Sequence, residues 1–277
     1  MIERPDAVNW STLRYMRQSP KHYRYALAHP QPDTEALLLG RLVHCAVYEP
    51  DKLAARYVRE PNFHRGMNDD TARDKGYDGG KQAAAAWNAN GRDSVPPALW
   101  ERHVAIAAAL TSDPIAGPMI RGGFSEQLVT WTDSATGIEC RGRVDHVNGC
   151  LSDLKTARSV DPRLFVAQAI RLGYHGQIAY YADGLAANGI ALVEPPCWIV
   201  AENEPPYDVV VWEIPDALLR AGRALYRRCL SSLALCRAAD AWPGVSGGAR
   251  CTIEPPAWIA EDQPEAALTM GGEAIEF

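Results

Sequence analysis

The sequence predicts an α+β fold whose central sheet, mixed and mostly antiparallel, is flanked by helices. Helix caps and helically spaced apolar residues dominate up to about residue 110, whereas alternating β-formers and turns begin at Glu126. The chain has 277 residues, of which 47% are hydrophobic and 22% are charged. These values are typical of soluble globular proteins and suffice for one large domain.

The first half is predicted to be helical apart from one long polar segment. Ser11 can cap a short helix, Ser19-Pro20 can begin a second that runs to about Ala28, and residues 32–35 begin a third. Residues 59–80 are rich in glycine and charge, which is loop composition. This segment is either a substrate-gripping lid or a disordered insertion. Helical character resumes further on, over residues 81–90 and 96–110.

The second half begins as a β-meander and continues as alternating helices and strands. Three strands are predicted first, at residues 127–132, 138–147 and 150–156. Two helices (162–171 and 174–187), two strands (196–201 and 207–214) and a long helix (216–240) follow. No repeat or low-complexity tract interrupts this layout.

The connection between the second and third strands decides whether two aspartates share a face. Asp153 and Lys155 are two apart on one strand and therefore project together. A two-residue turn at Asn148-Gly149 would place Asp145 on the wrong side. A three-residue loop over 148–150, with Gly149 in the left-handed region, places Asp145 opposite Asp153. We therefore predict the three-residue loop.

Two carboxylates on one face beside a lysine suit phosphodiester hydrolysis. Asp145 and Asp153 can hold Mg²⁺, a hard cation that prefers oxygen ligands. Such a metal polarises the phosphate and lowers the pKa of its bound water. Lys155 can position that water or stabilise negative charge in the transition state. On its own the Asp-x-Lys pattern is weak, because a surface ion pair gives the same spacing.

Composition neither requires nor excludes a nucleic-acid substrate. The 28 Lys and Arg residues face 34 Asp and Glu residues, which gives a net charge of −6. Six of the acidic residues follow Arg250, so a charge-balanced body precedes an acidic tail. An acidic protein can still bind DNA, since only the surface that faces the phosphates must be basic.

The cysteines and the absence of apolar segments predict a cytoplasmic location. The seven cysteines are scattered, without a CxxC pair, and are expected to be reduced and mostly buried. No signal peptide and no apolar run of membrane-spanning length are visible. We therefore expect a soluble protein that does not contact a membrane.

Six sequence segments, taken together and in this order along the chain, make the functional interpretation more specific: 39–51, 125–126, 136–145, 152–156, 174–184 and 241–243. In this combination the chain resembles the RecE-type exonucleases (exodeoxyribonuclease VIII and phage relatives) of the PD-(D/E)xK nuclease superfamily. The resemblance runs from about Val8 to Ile259. It implies a single PD-(D/E)xK exonuclease domain over residues 1–259, with a helical N-terminal part, followed by an acidic tail over 260–277.

The resemblance implies a set of metal ligands. In the G-x-x-x-H motif, Gly40 lets its helix approach the site, and His44 is a ligand through one ring nitrogen. Asp145 and Asp153 are the carboxylate ligands, and the Leu154 carbonyl is the backbone ligand. Without the resemblance, a lone histidine on an apolar helix would be taken as a core residue.

The same resemblance assigns the remaining site residues. Lys155 is the catalytic lysine, and Glu126 supports a second metal or its water. Gln177 and Tyr181 match the Q-x-x-x-Y motif, and because they are four apart on a helix they share a face. They suit contact with the scissile phosphate or support of the lysine.

Two arginines are candidate DNA contacts. Arg141 and Arg143 alternate with Asp145 along one strand and share its predicted face. They can bind DNA phosphates, or they can pair with Glu139 and neighbouring acids; both alternatives stay open.

The resemblance implies an exonuclease that degrades linear double-stranded DNA from 5′ to 3′ and leaves 3′ single-stranded tails. The expected cofactor is Mg²⁺, with Mn²⁺ as the alternative. The expected partners are double-stranded DNA ends and a single-strand annealing recombinase. A ring-like homo-oligomer with DNA in its channel is also implied, and it would let an acidic protein keep its basic residues inside.

Other functions have less support. The iron–sulfur branch of RecB-like nucleases needs a close cysteine trio, and Cys229, Cys236 and Cys251 are too widely spaced. Residues 244–248 match G-x-S-x-G but lack the strand and helix that a nucleophile elbow requires. A catalytically inactive or endonucleolytic relative, acting as a DNA-binding or assembly module, remains the main alternative.

Overall fold

The computed structural model describes residues 6–30, 32–254, 269–270 and 273–274. The helices are α1 (Trp10–Leu13), α2 (Pro20–Ala28), α3 (Glu35–Tyr48), α4 (Pro50–Arg56), α5 (Asp69–Asp74), α6 (Lys81–Ala86), α7 (Pro97–Ser112), α8 (Ala116–Met119), α9 (Pro162–Leu172), α10 (Tyr174–Ala187) and α11 (Asp216–Ala239), with a short 3-10 helix at Arg14–Arg17. The strands are β1 (Tyr57–Arg59), β2 (Asp93–Val95), β3 (Phe124–Thr132), β4 (Glu139–Asn148), β5 (Cys150–Ala157), β6 (Cys197–Glu202), β7 (Val209–Glu213), β8 (Thr269–Met270) and β9 (Glu273–Ala274). Apart from these last two strands, the tail predicted for 260–277 lies outside the described residues.

Side-chain caps begin the N-terminal helices. Ser19 accepts a hydrogen bond from the His22 amide at the start of α2, as predicted. The prediction for α1 is wrong, because Asn9 is its cap and accepts from the Thr12 amide at 2.9 Å. Ser11 already lies inside the helix, where its hydroxyl donates to Asn9 at 2.6 Å.

The polar segment at 59–80 is partly helical, so its description as a loop is wrong for α5. The Asn68 side chain caps α5 by accepting from the Thr71 amide at 2.8 Å. Asp69 accepts from the amides of Gly80 and Ala83, which ties the start of α5 to α6. The helix predicted over 81–90 ends at Ala86. Local capping by short polar side chains therefore organises a segment that lacks apolar periodicity.

The main sheet has five strands in the order β3-β4-β5-β6-β7, and β5-β6 is its one parallel pair. This confirms the mixed, mostly antiparallel sheet. At the β4–β5 hairpin, Asn148 pairs with Cys150 around Gly149, whose φ of +75° is left-handed. The three-residue loop is confirmed, and its register places Asp145 opposite Asp153.

The sheet separates two apolar cores. One core packs α10 and α11 on the sheet through residues such as Tyr180 and Leu230. The other packs α3 and α7, with Leu42 and Ile106 fully buried. The neighbouring residues Ile199 and Val200 of β6 belong to opposite cores, as strand alternation requires. This is the layered α+β arrangement that the sequence predicts.

The cysteines agree with the prediction of reduced thiols. All seven are free, and Cys251 is the exposed one. Within the described ranges, no helix combines the length and apolarity needed to cross a membrane.

A glycine on α11 permits the close contact with α10. A Cβ at Gly222 would lie 2.1 Å from the backbone oxygen of His175. We expect Gly222→Ala to lower the free energy of unfolding by about 1–3 kcal/mol through overpacking, although alanine is intrinsically the better helix former by about 1 kcal/mol. Urea denaturation measures the change. The control is Ala221→Ser at the exposed neighbouring residue, which should change the free energy of unfolding by less than about 0.5 kcal/mol.

A buried histidine on α7 should make stability depend on pH. His103 is 1% exposed, and burial lowers its pKa below the ordinary value. The unfolded state therefore binds more protons, so the free energy of unfolding should fall as pH drops below about 6.5. We expect His103→Phe to make that decline shallower in urea denaturation between about pH 7 and pH 5. An unchanged slope would contradict the depressed pKa.

Candidate metal centre

Three acidic residues lie in one row across neighbouring strands. The β3–β4 register pairs Ser125 with His146 and Gln127 with Val144, which places Glu126 opposite Asp145. The β4–β5 register continues the row to Asp153. Cross-strand neighbours project from the same face of a sheet. Strand register therefore places the three residues side by side, at positions where the ladder pairing itself is interrupted.

Glu126 has an unusual backbone conformation. Its φ is +52°, a region that residues other than glycine rarely adopt, and the β3–β4 pairing skips this position. The side chain is 15% exposed, and Oε1 lies 3.5 Å from Nδ1 of His44. Strained backbone of this kind often occurs at functional sites.

His44 on α3 reaches the row from the neighbouring helical layer. Its Nε2 lies 3.0 Å from the Leu154 carbonyl oxygen and 3.7 Å from Oδ2 of Asp145. Burial alone would lower the pKa of His44, but the charges of Asp145 and Glu126 outweigh burial and raise it to about 9. The carboxylates therefore create a site that strongly favours positive charge.

Asp145 and Leu154 meet where β4 and β5 part. The pairing of these strands ends at His146 and Ser152. Beyond that point Oδ2 of Asp145 accepts the Leu154 N–H at 2.9 Å. Because the N–H and C=O of one strand residue point the same way, the Leu154 carbonyl also faces the gap, where His44 lies. The gap presents a carboxylate and a carbonyl oxygen together.

Asp153 and Lys155 form a buried ion pair. Asp153 is fully buried, and Lys155 Nζ lies 2.5 Å from its Oδ2 and 4.8 Å from the Tyr174 ring centroid. Burial would lower the pKa of Lys155, but the charges of Asp153 and Asp145 raise it. Burial also raises the pKa of Asp153. Lys155 is therefore a cation held in a defined position.

Three of the predicted residues come together as one ligand set. Ligand atoms of His44, Glu126 and Asp145 all lie within 4.8 Å of one another, a spacing that one ion could bridge. Glu126, assigned by resemblance to a second metal or its water, thus belongs to the same cluster as His44. Asp153 lies beside this cluster with its carboxylate towards Lys155. Its role as a ligand stays a prediction.

The cluster opens into a cavity of about 670 Å³. Its walls include His44, Glu126, Asp145, Leu154, Lys155, Arg143, Gly40 and Tyr174. A Cβ at Gly40 would meet Thr156 at 3.8 Å, an ordinary contact, so the glycine keeps the wall open rather than relieving a clash. The Arg143 side chain is 59% exposed and lies 3.9 Å from Glu126. Arg141 is not among the lining residues.

Gln177 and Tyr181 lie behind the cavity. Gln177 Nε2 donates to the Tyr181 hydroxyl at 3.3 Å, which confirms that the two share a helix face. The Tyr181 ring packs so closely on Gly142 that a Cβ there would come within 2.7 Å. Burial and the charges of Asp145 and Asp153 raise the pKa of Tyr181. These contacts place the pair beside the site, outside the lining residues.

Two aromatic residues at the site have no role assigned from the sequence. Tyr174 begins α10 and holds its ring against Lys155. Tyr48 contacts His44 edge-on and stacks on His146 at 5.3 Å between ring centroids. The four-residue spacing of His44 and Tyr48 on α3 was a signal available in the sequence.

Comparison with known proteins identifies the family and supports the fold. A family model described as a PDDEXK-like domain of unknown function (DUF3799) matches residues 9–255. A solved Eubacterium rectale structure, described as a "putative exonuclease", superposes with a TM-score of 0.59 at 14% identity over 90% of each chain. At that identity the likeness concerns the fold. No curated protein matches the sequence significantly.

The ligand set should bind a divalent cation. We expect Asp145→Asn and Glu126→Gln each to weaken Mn²⁺ binding by about tenfold or more, because each removes a charged oxygen ligand. Isothermal titration calorimetry measures the affinity. Glu213→Gln, an exposed acid on β7, is the matched control. Equal affinities for all four proteins would contradict the assignment.

Proposed function

The chain belongs to the PDDEXK-like family DUF3799, and we propose that it is a divalent-metal-dependent exodeoxyribonuclease acting on linear double-stranded DNA. One observation carries the proposal. The ligand set of His44, Glu126 and Asp145 opens into the same cavity as the Lys155 ammonium. Metal-ligating carboxylates beside a fixed cation suit the hydrolysis of a phosphodiester.

The donor atoms fit a small divalent cation. Two carboxylates and the Leu154 carbonyl offer the oxygen ligands that Mg²⁺ prefers, and the His44 imidazole makes Mn²⁺ the alternative. When bound, such a cation supplies Lewis acidity and lowers the pKa of a coordinated water. Asp153, which lies opposite Asp145 in the strand register, is the further candidate ligand.

Lys155 acts as a cation and hydrogen-bond donor. The charges of Asp153 and Asp145 raise its pKa, which favours the protonated ammonium. Asp153 and Tyr174 fix its position, which means that little reorganisation is needed when charge develops on the phosphate. The ammonium can orient the attacking water and stabilise the phosphate oxygens in the transition state.

The arginines of β4 can extend phosphate recognition beyond the reacting group. Arg143 lies at the cavity wall. Its guanidinium is 3.9 Å from the Glu126 carboxylate, which leaves N–H groups available to bind a phosphate. Arg141 is two residues away on the same strand and could contact a neighbouring phosphate. Gln177 and Tyr181 would then support the site from behind.

The finer features of the proposal follow the resemblance to RecE-type exonucleases. Degradation would proceed from 5′ to 3′ and leave 3′ single-stranded tails for a single-strand annealing recombinase. Assembly into a ring around DNA would suit a chain whose net charge is −6, since its acidic outer surface would repel DNA while basic residues faced inward.

The test is a nuclease assay on matched linear and covalently closed circular duplexes, labelled at either the 5′ or the 3′ ends, in Mg²⁺ or Mn²⁺. We expect progressive loss of linear DNA from its 5′ ends and no loss of circles. Lys155→Ala should reduce the rate by about 100-fold or more, because it removes the fixed positive charge. Lys81→Ala, which changes an exposed lysine outside the described cavity wall, should leave the rate unchanged.

The other outcomes separate the alternatives. Cleavage of closed circles would identify an endonuclease of the same family. Because Lys155→Ala leaves Asp153 buried without its partner, circular dichroism must show that this variant is folded. No Lys155-dependent degradation with either metal would refute the enzymatic proposal and favour an inactive DNA-binding relative.

A further inference from the structure

Arginines concentrate on one part of the surface. Residues 10–29 contain four Arg or Lys residues and no Asp or Glu, and α11 contains five arginines and one aspartate. The chain as a whole carries a net charge of −6. The helices that cover one face of the sheet are therefore locally basic in an acidic protein.

Two further cavities lie between this basic surface and the metal centre. A cavity of about 320 Å³ is lined by Arg14, Arg17 and Arg171 and shares Leu172 with the metal-centre cavity. A cavity of about 490 Å³ shares Arg17 with the first and adds Arg228. Because Leu172 and Arg17 each line two cavities, the first cavity neighbours the metal-centre cavity on one side and the second on the other. We call the part lined by Arg14, Arg17, Arg171 and Arg228 the arginine groove.

The groove is built around one structural arginine. Arg17 donates to the carbonyl oxygens of Arg171 and Ile170, at 3.3 and 3.1 Å, and so caps the C-terminal end of α9. Burial lowers its pKa. This contact fixes the 3-10 helix against α9 and sets the spacing of the groove walls. Arg17 is therefore a positioning residue.

The other three arginines have unused donors. Arg14, Arg171 and Arg228 form no ion pair with any described residue. By contrast, Arg223 and Arg227 on α11 both pair with Asp183. Clustered guanidinium groups without carboxylate partners repel one another and suit the bidentate binding of phosphate.

A buried histidine also lines the cavity that contains Arg228. His175 is 8% exposed, its Nδ1 is buried without a hydrogen-bond partner among the described residues, and it lines the cavity that contains Arg228. Unpaired buried ring nitrogens are uncommon in folded proteins.

We propose that the arginine groove binds the phosphate backbone of the duplex that flanks the scissile phosphate, and so holds DNA on the metal centre. This inference rests on the proposed nuclease function, because it takes DNA as the substrate. Leu172 lines both cavities, so the groove lies next to the site where the bond would be hydrolysed. The groove would add affinity without taking part in the chemical step.

The experiment measures duplex binding and small-substrate hydrolysis on the same proteins. The triple variant Arg14→Ala, Arg171→Ala, Arg228→Ala removes the unpaired arginines and keeps Arg17. Arg163→Ala is the matched control, since Arg163 is exposed on the same helix as Arg171 but does not line the groove. Binding of a labelled 30-base-pair duplex is measured at several salt concentrations, with Lys155→Ala added to each protein so that the DNA is not degraded. Hydrolysis of bis(4-nitrophenyl) phosphate is measured with proteins that keep Lys155.

We expect the triple variant to bind duplex at least about tenfold more weakly, and the slope of its salt dependence to fall by about 0.9 for each phosphate that it no longer neutralises. Hydrolysis of the small diester should equal that of the wild type, because that substrate reaches only the metal-centre cavity. Replacing the same three residues by lysine should restore most of the salt dependence, since lysine keeps the charge. If the triple variant does not fold, the three single variants give the same measurement in smaller steps.

The two proposals fail differently. Duplex affinity and salt dependence within twofold of the control would overturn the groove, even if the small diester is hydrolysed. Loss of small-diester hydrolysis in the triple variant would also overturn it, because the arginines would then support the metal centre itself. A wild-type protein that hydrolyses neither substrate would refute the nuclease function, while the binding comparison would still decide the groove.

Discussion

The hydrogen bond from the Leu154 amide to the Asp145 carboxylate holds the site together. It forms where β4 and β5 separate, and it replaces the backbone pairing that ends at His146 and Ser152. The buried amide is thereby satisfied by a side chain, as buried donors must be. The same separation leaves the Leu154 carbonyl facing His44. This one interruption of the sheet therefore leaves two candidate metal-ligand oxygens facing the gap and fixes the distance between them.

The charges around this gap explain why the site should select a cation. His44, Asp145 and Glu126 are largely withdrawn from water, and Asp153 and Lys155 form a pair that is fully or almost fully buried. Removing such groups from water costs roughly several kcal/mol for each ion unless they are well paired. Two carboxylates facing a single imidazole are incompletely compensated. A divalent ion would neutralise this excess and offset part of that cost.

Much of this arrangement could be predicted, because it depends on register and local capping. The Asn148-Gly149-Cys150 loop is specified by a glycine that adopts a left-handed φ, and the requirement that Asp145 face Asp153 selected it over the shorter turn. The left-handed φ of Glu126 could not be predicted, since nothing in the local sequence favours it there. The burial of the Asp153–Lys155 pair could not be predicted either. Strand alternation places both on one face, but burial and the Tyr174 ring come from α10, which is distant in sequence.

An acidic protein that acts on DNA must separate its charges. A net charge of −6 disfavours approach of a polyanion at long range. Beyond about 8 Å in physiological salt, however, exposed charges are largely screened, so the local surface is decisive. The N-terminal helices and α11, which pack against α10 on one side of the sheet, carry the excess of arginine. The same helices cover the apolar core on that side of the sheet. The apolar side of this helical layer stabilises the sheet. In the proposed groove, its unpaired guanidinium groups would bind DNA phosphates beside the metal centre without disturbing that packing.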